Sequence, residues 1–293
     1  MNKLMRRNYT YGMLLPGALL YVLLFIVPSM GSFYFAFTDL TDFDFYSARF
    51  IGWDNFKSLF DAEESMLSLQ NTIVFTIVTT VFKMALGLAL ALLLNMKLRT
   101  TLYLRTVFFF PVILSTVAVA LAFSAIYHPT TGLLNQSLRL IGLDSLAQEW
   151  LTNTKLVMYS ISAVEVWKWT GMGMVLFLAG LQSIPLDAYE SATIDGASAW
   201  QKFRSITLPL LLPSIKSVFF LSMIGGLKVF DIVIALTNGG PGKVSRTLNY
   251  MVYEDFSKQY YGEGTAANLI LFLLILVTMA ILNLFISRKE VEM

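Results

Sequence analysis

The chain has 293 residues, of which 56% are hydrophobic and only 14% are charged. A soluble domain of this length carries about a quarter charged residues, so the composition indicates a protein surrounded mainly by lipid. The net charge of +2 gives no sign of a nucleic-acid partner. The sequence contains no cysteine and one histidine, which excludes disulfides, thiolate metal sites and an imidazole metal cluster.

Six apolar runs are long enough to cross a membrane, since a transmembrane helix needs about 20 mostly apolar residues. In chain order the predicted spans are 12–37, 72–94, 106–127, 156–181, 214–236 and 265–286. The first run is too long for the apolar region of a signal peptide, and no small-residue cleavage site follows it. We therefore predict that it is a retained span.

Basic residues in the short loops predict the orientation of the spans. The side predicted to be cytoplasmic carries Lys3, Arg6, Arg7, Lys97, Arg99, Arg105, Lys202, Arg204, Arg288 and Lys289. The opposite side carries Arg49, Lys57, Arg139, Lys155, Lys243, Arg246 and Lys258, mostly in longer loops. Both termini and the segment 185–213 are thus predicted to be cytoplasmic. No loop is long enough to build a soluble core, so we predict a single transmembrane domain over residues 1–293.

Ionisable residues inside the apolar runs are the main candidates for a function within the membrane, because each costs a few kcal/mol at that depth. They are Lys83, Glu165, Lys168, Lys228 and Asp231. The spacing allows Glu165 to pair with Lys168, and Lys228 with Asp231, along one helix face. Two interpretations stay open for Glu165 and Asp231: a hydrophilic pathway, or ion pairs that fix the packing. For Lys83 we favour packing.

The polar segment "YESATIDGASAWQKFRSITLPLLLP" lies between the fourth and fifth runs. It reads Glu190-Ser191-Ala192, three residues, Gly196, nine residues, then Ile206-Thr207-Leu208-Pro209. This resembles the EAA loop of binding-protein-dependent ABC importers, whose pattern is E-A-A-x3-G-x9-I-x-L-P. Ser191 stands where the pattern has alanine, and both residues are small. The alternative, an amphipathic helix at the lipid surface, does not account for this spacing.

Other stretches resemble the carbohydrate branch of these permeases, the maltose and glycerol-3-phosphate uptake type. They are "VWKWTG", "AGLQSIP", "LTNGGPG" and "GLLNQSLRLIGL", and the N-terminal run resembles the upstream, first-type permease of each pair. The resemblance implies an all-α membrane protein with six transmembrane helices and the type I ABC importer permease fold. It also implies a bacterial or archaeal cytoplasmic membrane.

The resemblance implies that the segment 185–213 couples the permease to a separate ATPase. The residues carried over from the pattern are Glu190, Ser191, Ala192, Asp195, Gly196, Ile206, Leu208 and Pro209. Gly196 would let a partner backbone approach closely. Pro209 and Pro213 would end the segment and set the angle of the next span.

The implied partners are a second homologous permease, two copies of the ATPase and an extracytoplasmic solute-binding protein. ATP and Mg would be bound by the ATPase, so no cofactor is expected in this chain. The Gly-rich "NGGPGKVS" lacks the glycine and the Ser or Thr that a phosphate-binding Walker loop needs, and we read it as a turn. The external loops 38–71, 130–155 and 237–264 would receive the solute-binding protein.

The expected substrate is a sugar or oligosaccharide, and a neutral sugar is favoured because no arginine lies well inside the spans. The candidates for the substrate path are Glu165, Trp167, Lys168, Lys228, Phe230 and Asp231, with Trp169 and Tyr127 as further aromatic surfaces. One alternative is a stand-alone secondary transporter with Glu165 and Asp231 as proton carriers, although no internal repeat supports it. A membrane enzyme would need a nucleophile with a base or a metal, and this composition offers almost none.

Overall fold

A computed structural model describes residues 14–41, 48–96 and 99–286, and most of these residues are helical. The predictions that concern Lys3, Arg6, Arg7, Lys97, Arg288 and Lys289 lie outside the described residues. In chain order the helices are α1 (Leu15–Phe35), α2 (Asp54–Asp61), α3 (Glu63–Asn95), α4 (Thr101–Ile113), α5 (Thr116–Ile126), α6 (Leu133–Leu140), α7 (Val157–Ser183), α8 (Leu186–Ile194), α9 (Ala199–Leu210), α10 (Leu212–Leu227), α11 (Asp231–Thr237), α12 (Leu248–Ser257) and α13 (Tyr261–Ile286).

Four helices, α1, α3, α7 and α13, are each long and apolar enough to cross a membrane. Two bent pairs pass the same test when each is taken together, α4 with α5 and α9 with α10, which gives up to six spans. Each of the predicted runs 12–37, 72–94, 156–181 and 265–286 overlaps one of the four long helices, although α3 begins at Glu63, well before its predicted run. The cytoplasmic placement of both termini stays a prediction.

The predicted run 106–127 is not one helix, which corrects the sequence-based expectation. It comprises α4 and α5, which meet at 98°. Pro111 lies in the last turn of α4, where it has no N–H to donate, and Leu114 and Ser115 are extended. Hydropathy is insensitive to such a break, because the residues on both sides of it are apolar.

The predicted run 214–236 is also interrupted. Helix α10 ends at Leu227, and α11 begins at Asp231 after Phe230, whose φ of −148° and ψ of −59° are not helical. The glycine pair that closes α10 weakens the helix just before the break, because glycine costs about 1 kcal/mol relative to alanine in a helix. The break places Lys228 just after the end of α10 and Asp231 at the start of α11, rather than both within one regular helix.

The backbone forms two compact units. The first contains the described residues up to Glu63 together with Met251–Ile270. In this unit an isolated bridge joins Thr38 to Phe50, and the buried Asn55 amide donates to the carbonyls of Ala36 and Thr38 at 3.0 and 2.8 Å. The single permease domain predicted for residues 1–293 stays a prediction.

The second unit contains Glu64–Tyr250 and the described residues from Leu271 onward. Helix α7 is its central element and contacts α4, α10 and α11. Small residues let α7 approach α4 and also α3: a Cβ on Gly171 would lie 2.3 Å from the Phe108 carbonyl oxygen, and one on Gly87 would lie 3.2 Å from the Gly173 backbone. Because α7 is buried on most faces, its polar side chains are held within the unit.

Candidate functional sites: a polar cavity and an exposed helical segment

A cavity of about 390 Å³ lies in the second unit, and α3, α5, α7, α10 and α11 contribute to its wall. Both helix breaks open onto it, because Thr116 begins α5 and Lys228 and Asp231 flank the gap between α10 and α11. The ionisable residues on the wall are Lys83, Glu165, Lys228 and Asp231. The structure thus brings four of the five charged residues singled out in the sequence to one place.

One wall of the cavity carries a buried ion pair. Lys83 Nζ on α3 donates to Glu165 Oε1 on α7 at 3.0 Å, and the two side chains are 6% and 10% exposed. The spacing of three residues suggested a pair between Glu165 and Lys168, but the carboxylate is bonded to a different helix. The ion pair therefore ties α3 to α7 and also places a carboxylate at the cavity surface.

Lys168 is buried, with 4% of its surface exposed, and is not part of the cavity wall. Its ammonium donates to Thr116 Oγ1 at 3.0 Å and lies 4.8 Å from the centre of the Trp169 ring. Thr116 and Trp169 both line the cavity. Lys168 therefore contacts two cavity residues, Thr116 and Trp169, without lining the cavity itself. Its hydrogen bond to Thr116 also joins α7 to the first turn of α5.

The cavity lining also includes Lys228 and Asp231, which are both exposed. In the described part of the chain, neither side chain takes part in an ion pair, so the predicted pairing along one helix face does not form. Phe230 lines the cavity between them. The wall thus offers an ammonium, a carboxylate and an aromatic ring to a ligand.

Trp167 points away from the polar cavity. Its side chain is 45% exposed, and its ring lies 5.2 Å from the ring of Phe123. It lines a separate, mainly apolar groove of about 770 Å³ beside α3, α4 and α7. The structure therefore separates this candidate from Glu165, although the two residues are near neighbours in the sequence.

Thr116 and Ser222 line the cavity and were missed by the sequence analysis. Both are hydroxyl residues within apolar runs, where a charge-based search does not find them. The signal that points to Thr116 is local: Pro111 followed by Ser115 and Thr116 is typical of a helix end and a new helix start.

The segment 185–213 forms α8, a tight turn and α9. Gly196 adopts φ of +75°, and the turn has the two hydrogen bonds of a Schellman motif. The Ala197 N–H donates to the Ala192 carbonyl at 2.9 Å, and the Gly196 N–H donates to the Thr193 carbonyl at 3.1 Å. A glycine at position 196 is therefore favoured by the positive φ of the turn. The sequence alone suggests a different reason, the close approach of a partner backbone. Nothing within the described chain lies within 4 Å of a Cβ built there, so the surface is open.

Side-chain hydrogen bonds fix α8 against α9. The Tyr189 hydroxyl is 2.9 Å from Thr207 Oγ1, and Lys202 Nζ donates to Thr193 Oγ1 at 2.9 Å. A capping box at Ser198 begins α9 and satisfies its first N–H groups. These contacts make the two helices one preorganised element.

The residues carried over from the EAA pattern divide into two groups. Glu190, Ser191, Asp195 and Gly196 are exposed on α8 and its turn, while Ala192, Ile206, Leu208 and Pro209 are half-buried. Three large apolar side chains of the segment that the motif does not include are also exposed: Leu186, Ile194 and Trp200, at 73%, 87% and 66%. The bend of 64° between α9 and α10 lies between Pro209 and Pro213.

Comparison with known proteins agrees with this geometry. The family of binding-protein-dependent transport system inner membrane components matches residues 83–291. The chain belongs to this family. It is therefore a permease of the ABC transporter class, and its fold is the all-α type I importer fold.

Members of the family that resemble this chain over most of its length include transporters named for sugars. The multiple sugar-binding transport system permease protein MsmF of Streptococcus mutans is 33% identical over 98% of both chains. The trehalose/maltose transport system permease protein MalF of Thermococcus litoralis is 34% identical over 91% of this chain and 89% of its own. Among solved structures, a bacterial alginate ABC transporter in complex with an alginate pentasaccharide-bound periplasmic protein contains a chain with a TM-score of 0.83. That chain is 27% identical, with 97% of this chain and 96% of its own covered.

Proposed function

We propose that this permease imports a sugar or oligosaccharide across the cytoplasmic membrane of a bacterium or archaeon, driven by a separate ATPase that docks on α8 and α9. The observation that carries the proposal is the exposed, internally braced segment 185–213 on the same chain as a polar cavity among apolar helices. A docking element and a ligand-sized cavity are the two parts that an ATP-driven permease needs.

The coupling role is supported by the shape and chemistry of the segment. The carboxylates Glu190 and Asp195 and the apolar side chain of Ile194 are all exposed on α8 and the turn that ends it. Apolar groups that are exposed to this degree beside charged residues are typical of protein–protein contacts. Since α8 and α9 are hydrogen-bonded to each other, a force on α8 moves both helices as one body.

The sugar assignment is supported by the similar transporters and by the lining of the cavity. Carboxylates and hydroxyls bind sugar hydroxyl groups, and the rings of Trp169 and Phe230 offer faces for the apolar side of a sugar ring. Among the residues that the structure describes, no arginine lines the cavity, whereas recognition of a phosphate ester favours one. A neutral sugar accordingly fits this chemistry better than a sugar phosphate.

The complex that we propose contains a second, homologous permease, two ATPase copies and an extracytoplasmic solute-binding protein. ATP and Mg are bound by the ATPase. The solute-binding protein meets the loops 38–71, 130–155 and 237–264, a proposal supported by the similar alginate transporter, whose structure includes a periplasmic protein.

The first experiment is affinity purification of the tagged permease in mild detergent, followed by reconstitution and ATP-dependent uptake of labelled maltose and trehalose, the sugars for which the similar MalF is named. We expect an ATPase and a second permease to copurify, and one of these sugars to be taken up only with ATP. A chain that purifies alone and transports on a proton gradient would instead support a secondary transporter.

Two variants at one position test the coupling segment. Asparagine tolerates the positive φ of Gly196, whereas valine does not and strains the turn by roughly 1–3 kcal/mol. Loss of coupling in Gly196→Val alone indicates that the turn conformation matters, and loss in both indicates close contact with the ATPase. If both variants assemble and transport at the wild-type rate, the segment does not couple transport to ATP hydrolysis.

A further inference from the structure

The wall of the cavity formed by α7 and the start of α5 contains an acceptor and a donor that are each held by a buried lysine. We propose that this wall is a subsite for a polyhydroxylated ligand, in which Glu165 accepts and Thr116 donates a hydrogen bond. Lys83 and Lys168 are positioning residues for the two groups. The inference rests on the proposed sugar import, and it names the residues that bind the sugar and the direction of each hydrogen bond.

Glu165 has one carboxylate oxygen committed and one available. Oε1 accepts from Lys83 Nζ at 3.0 Å, and in the described part of the chain no hydrogen bond to Oε2 is formed. An ionised carboxylate has only acceptor sites. The residue lines the cavity, so Oε2 can accept a hydrogen bond from a ligand hydroxyl.

Thr116 is a hydrogen-bond donor to the cavity, whereas Glu165 is an acceptor, and its contact with Lys168 is the reason. An ammonium carries only donors, so the contact of 3.0 Å occupies a lone pair of Thr116 Oγ1 and leaves the hydroxyl proton free. No acceptor for this proton is found among residues 14–41, 48–96 and 99–286. Because Thr116 lines the cavity, its hydroxyl is set to donate to a ligand oxygen.

The Trp169 ring completes the subsite. It lines the cavity next to these two groups, and Lys168 Nζ lies 4.8 Å from its centroid. An aromatic face covers the C–H side of a ring while the acceptor and donor bind its hydroxyl edge. The combination favours a ligand with neighbouring hydroxyl groups, each of which can donate and accept.

Packing alone does not account for two buried lysines at this depth. Each ammonium is costly there, and apolar residues of similar volume often match or exceed the stability of a buried ion pair. Lys168 has a hydroxyl and a ring as its contacts rather than a carboxylate. Positioning of cavity groups gives both lysines a role.

The test uses the complete transporter reconstituted with its ATPase and binding protein, and whichever of maltose or trehalose the wild type takes up. Thr116→Val keeps the shape and removes the hydroxyl, and Thr116→Ser restores it. Thr106→Val is the matched control, because Thr106 lies on α4, is exposed and donates to its own helix at the Leu102 carbonyl. We expect Thr116→Val to lower uptake at limiting sugar about three- to tenfold, with recovery in Thr116→Ser and no change in Thr106→Val.

Sugar analogues separate recognition from a structural effect. A deoxy analogue that loses the acceptor facing Thr116 should be taken up less well by the wild type, while Thr116→Val should not distinguish it from the parent sugar. Failure of the wild type to take up any sugar would refute the proposed function. Normal uptake of the parent sugar by Thr116→Val, or an unchanged preference among analogues, would refute this inference and leave sugar import intact.

Discussion

Replacing Lys83 with methionine should test whether the ion pair on the cavity wall stabilises the fold. The variant leaves Glu165 buried without its ammonium partner, at a site where the two side chains are 6% and 10% exposed. With the N–O distance of 3.0 Å and an effective dielectric constant of about 20, the lost attraction is about 5.5 kcal/mol. Removal of one partner of a buried pair typically costs about 3–5 kcal/mol, so we expect a loss of that size.

The measurement is the thermal unfolding midpoint of the purified permease complex in detergent, for which we expect a fall on the order of 10 °C. The double variant Lys83→Met with Glu165→Leu removes both charges and should recover most of the loss. Lys57→Met is the matched control, because the Lys57–Asp54 pair has nearly the same length, 2.9 Å, but its side chains are 71% and 63% exposed. We expect no measurable change there.

Two results would refute the reasoning. A midpoint for Lys83→Met equal to that of the wild type would mean that the Lys83–Glu165 pair does not stabilise the contact between α3 and α7. A double variant as unstable as the single one would mean that methionine fails through its shape rather than through the unpaired carboxylate.

Three further changes have outcomes that follow from the described contacts. Gly171→Ala should lower the unfolding midpoint, because its Cβ would meet a backbone oxygen at 2.3 Å. Gly225→Ala should leave the midpoint unchanged or raise it slightly, because no atom of the described residues lies within 4 Å of a Cβ there. Tyr189→Phe should reduce ATP-driven uptake more than ATP hydrolysis, since it removes the hydrogen bond to Thr207 that braces α8 against α9. Asn135→Leu should increase protease cleavage of the loop 130–155, because the buried amide holds the loop through four hydrogen bonds; equal cleavage would contradict this role.

The sequence predicts the long helices well, because a continuous apolar run such as 156–181 has few alternatives in lipid. It does not predict where a run breaks. The gap before Asp231 and the bend at Ser115 depend on tertiary contacts, and apolar residues continue on both sides of each. The EAA spacing located the segment 185–213, but the bond between Tyr189 and Thr207 joins side chains too far apart for a motif to reveal.

For the candidate site too, the sequence predicts some features, while others depend on tertiary contacts. Charge inside apolar runs was enough to bring Glu165, Lys228 and Asp231 to attention, and all three line one cavity. The partner of Glu165 could not be predicted, because Lys83 is distant in the sequence and Lys168 is a nearer alternative. Trp167 was predicted to lie on the same path because it is close to Glu165 in the sequence. The direction of its side chain on α7 places it in the apolar groove instead.

Helix α10 begins at the bend that follows the braced segment and ends at the gap where Lys228 lines the cavity. Its 16 residues span about 24 Å, at 1.5 Å per residue. A tilt of about 10° at the bend would therefore displace the cavity end by about 4 Å, roughly the thickness of a sugar ring. In the transport cycle that we propose, this one helix is sufficient to convert a small rotation of the coupling segment into the opening or closing of the cavity.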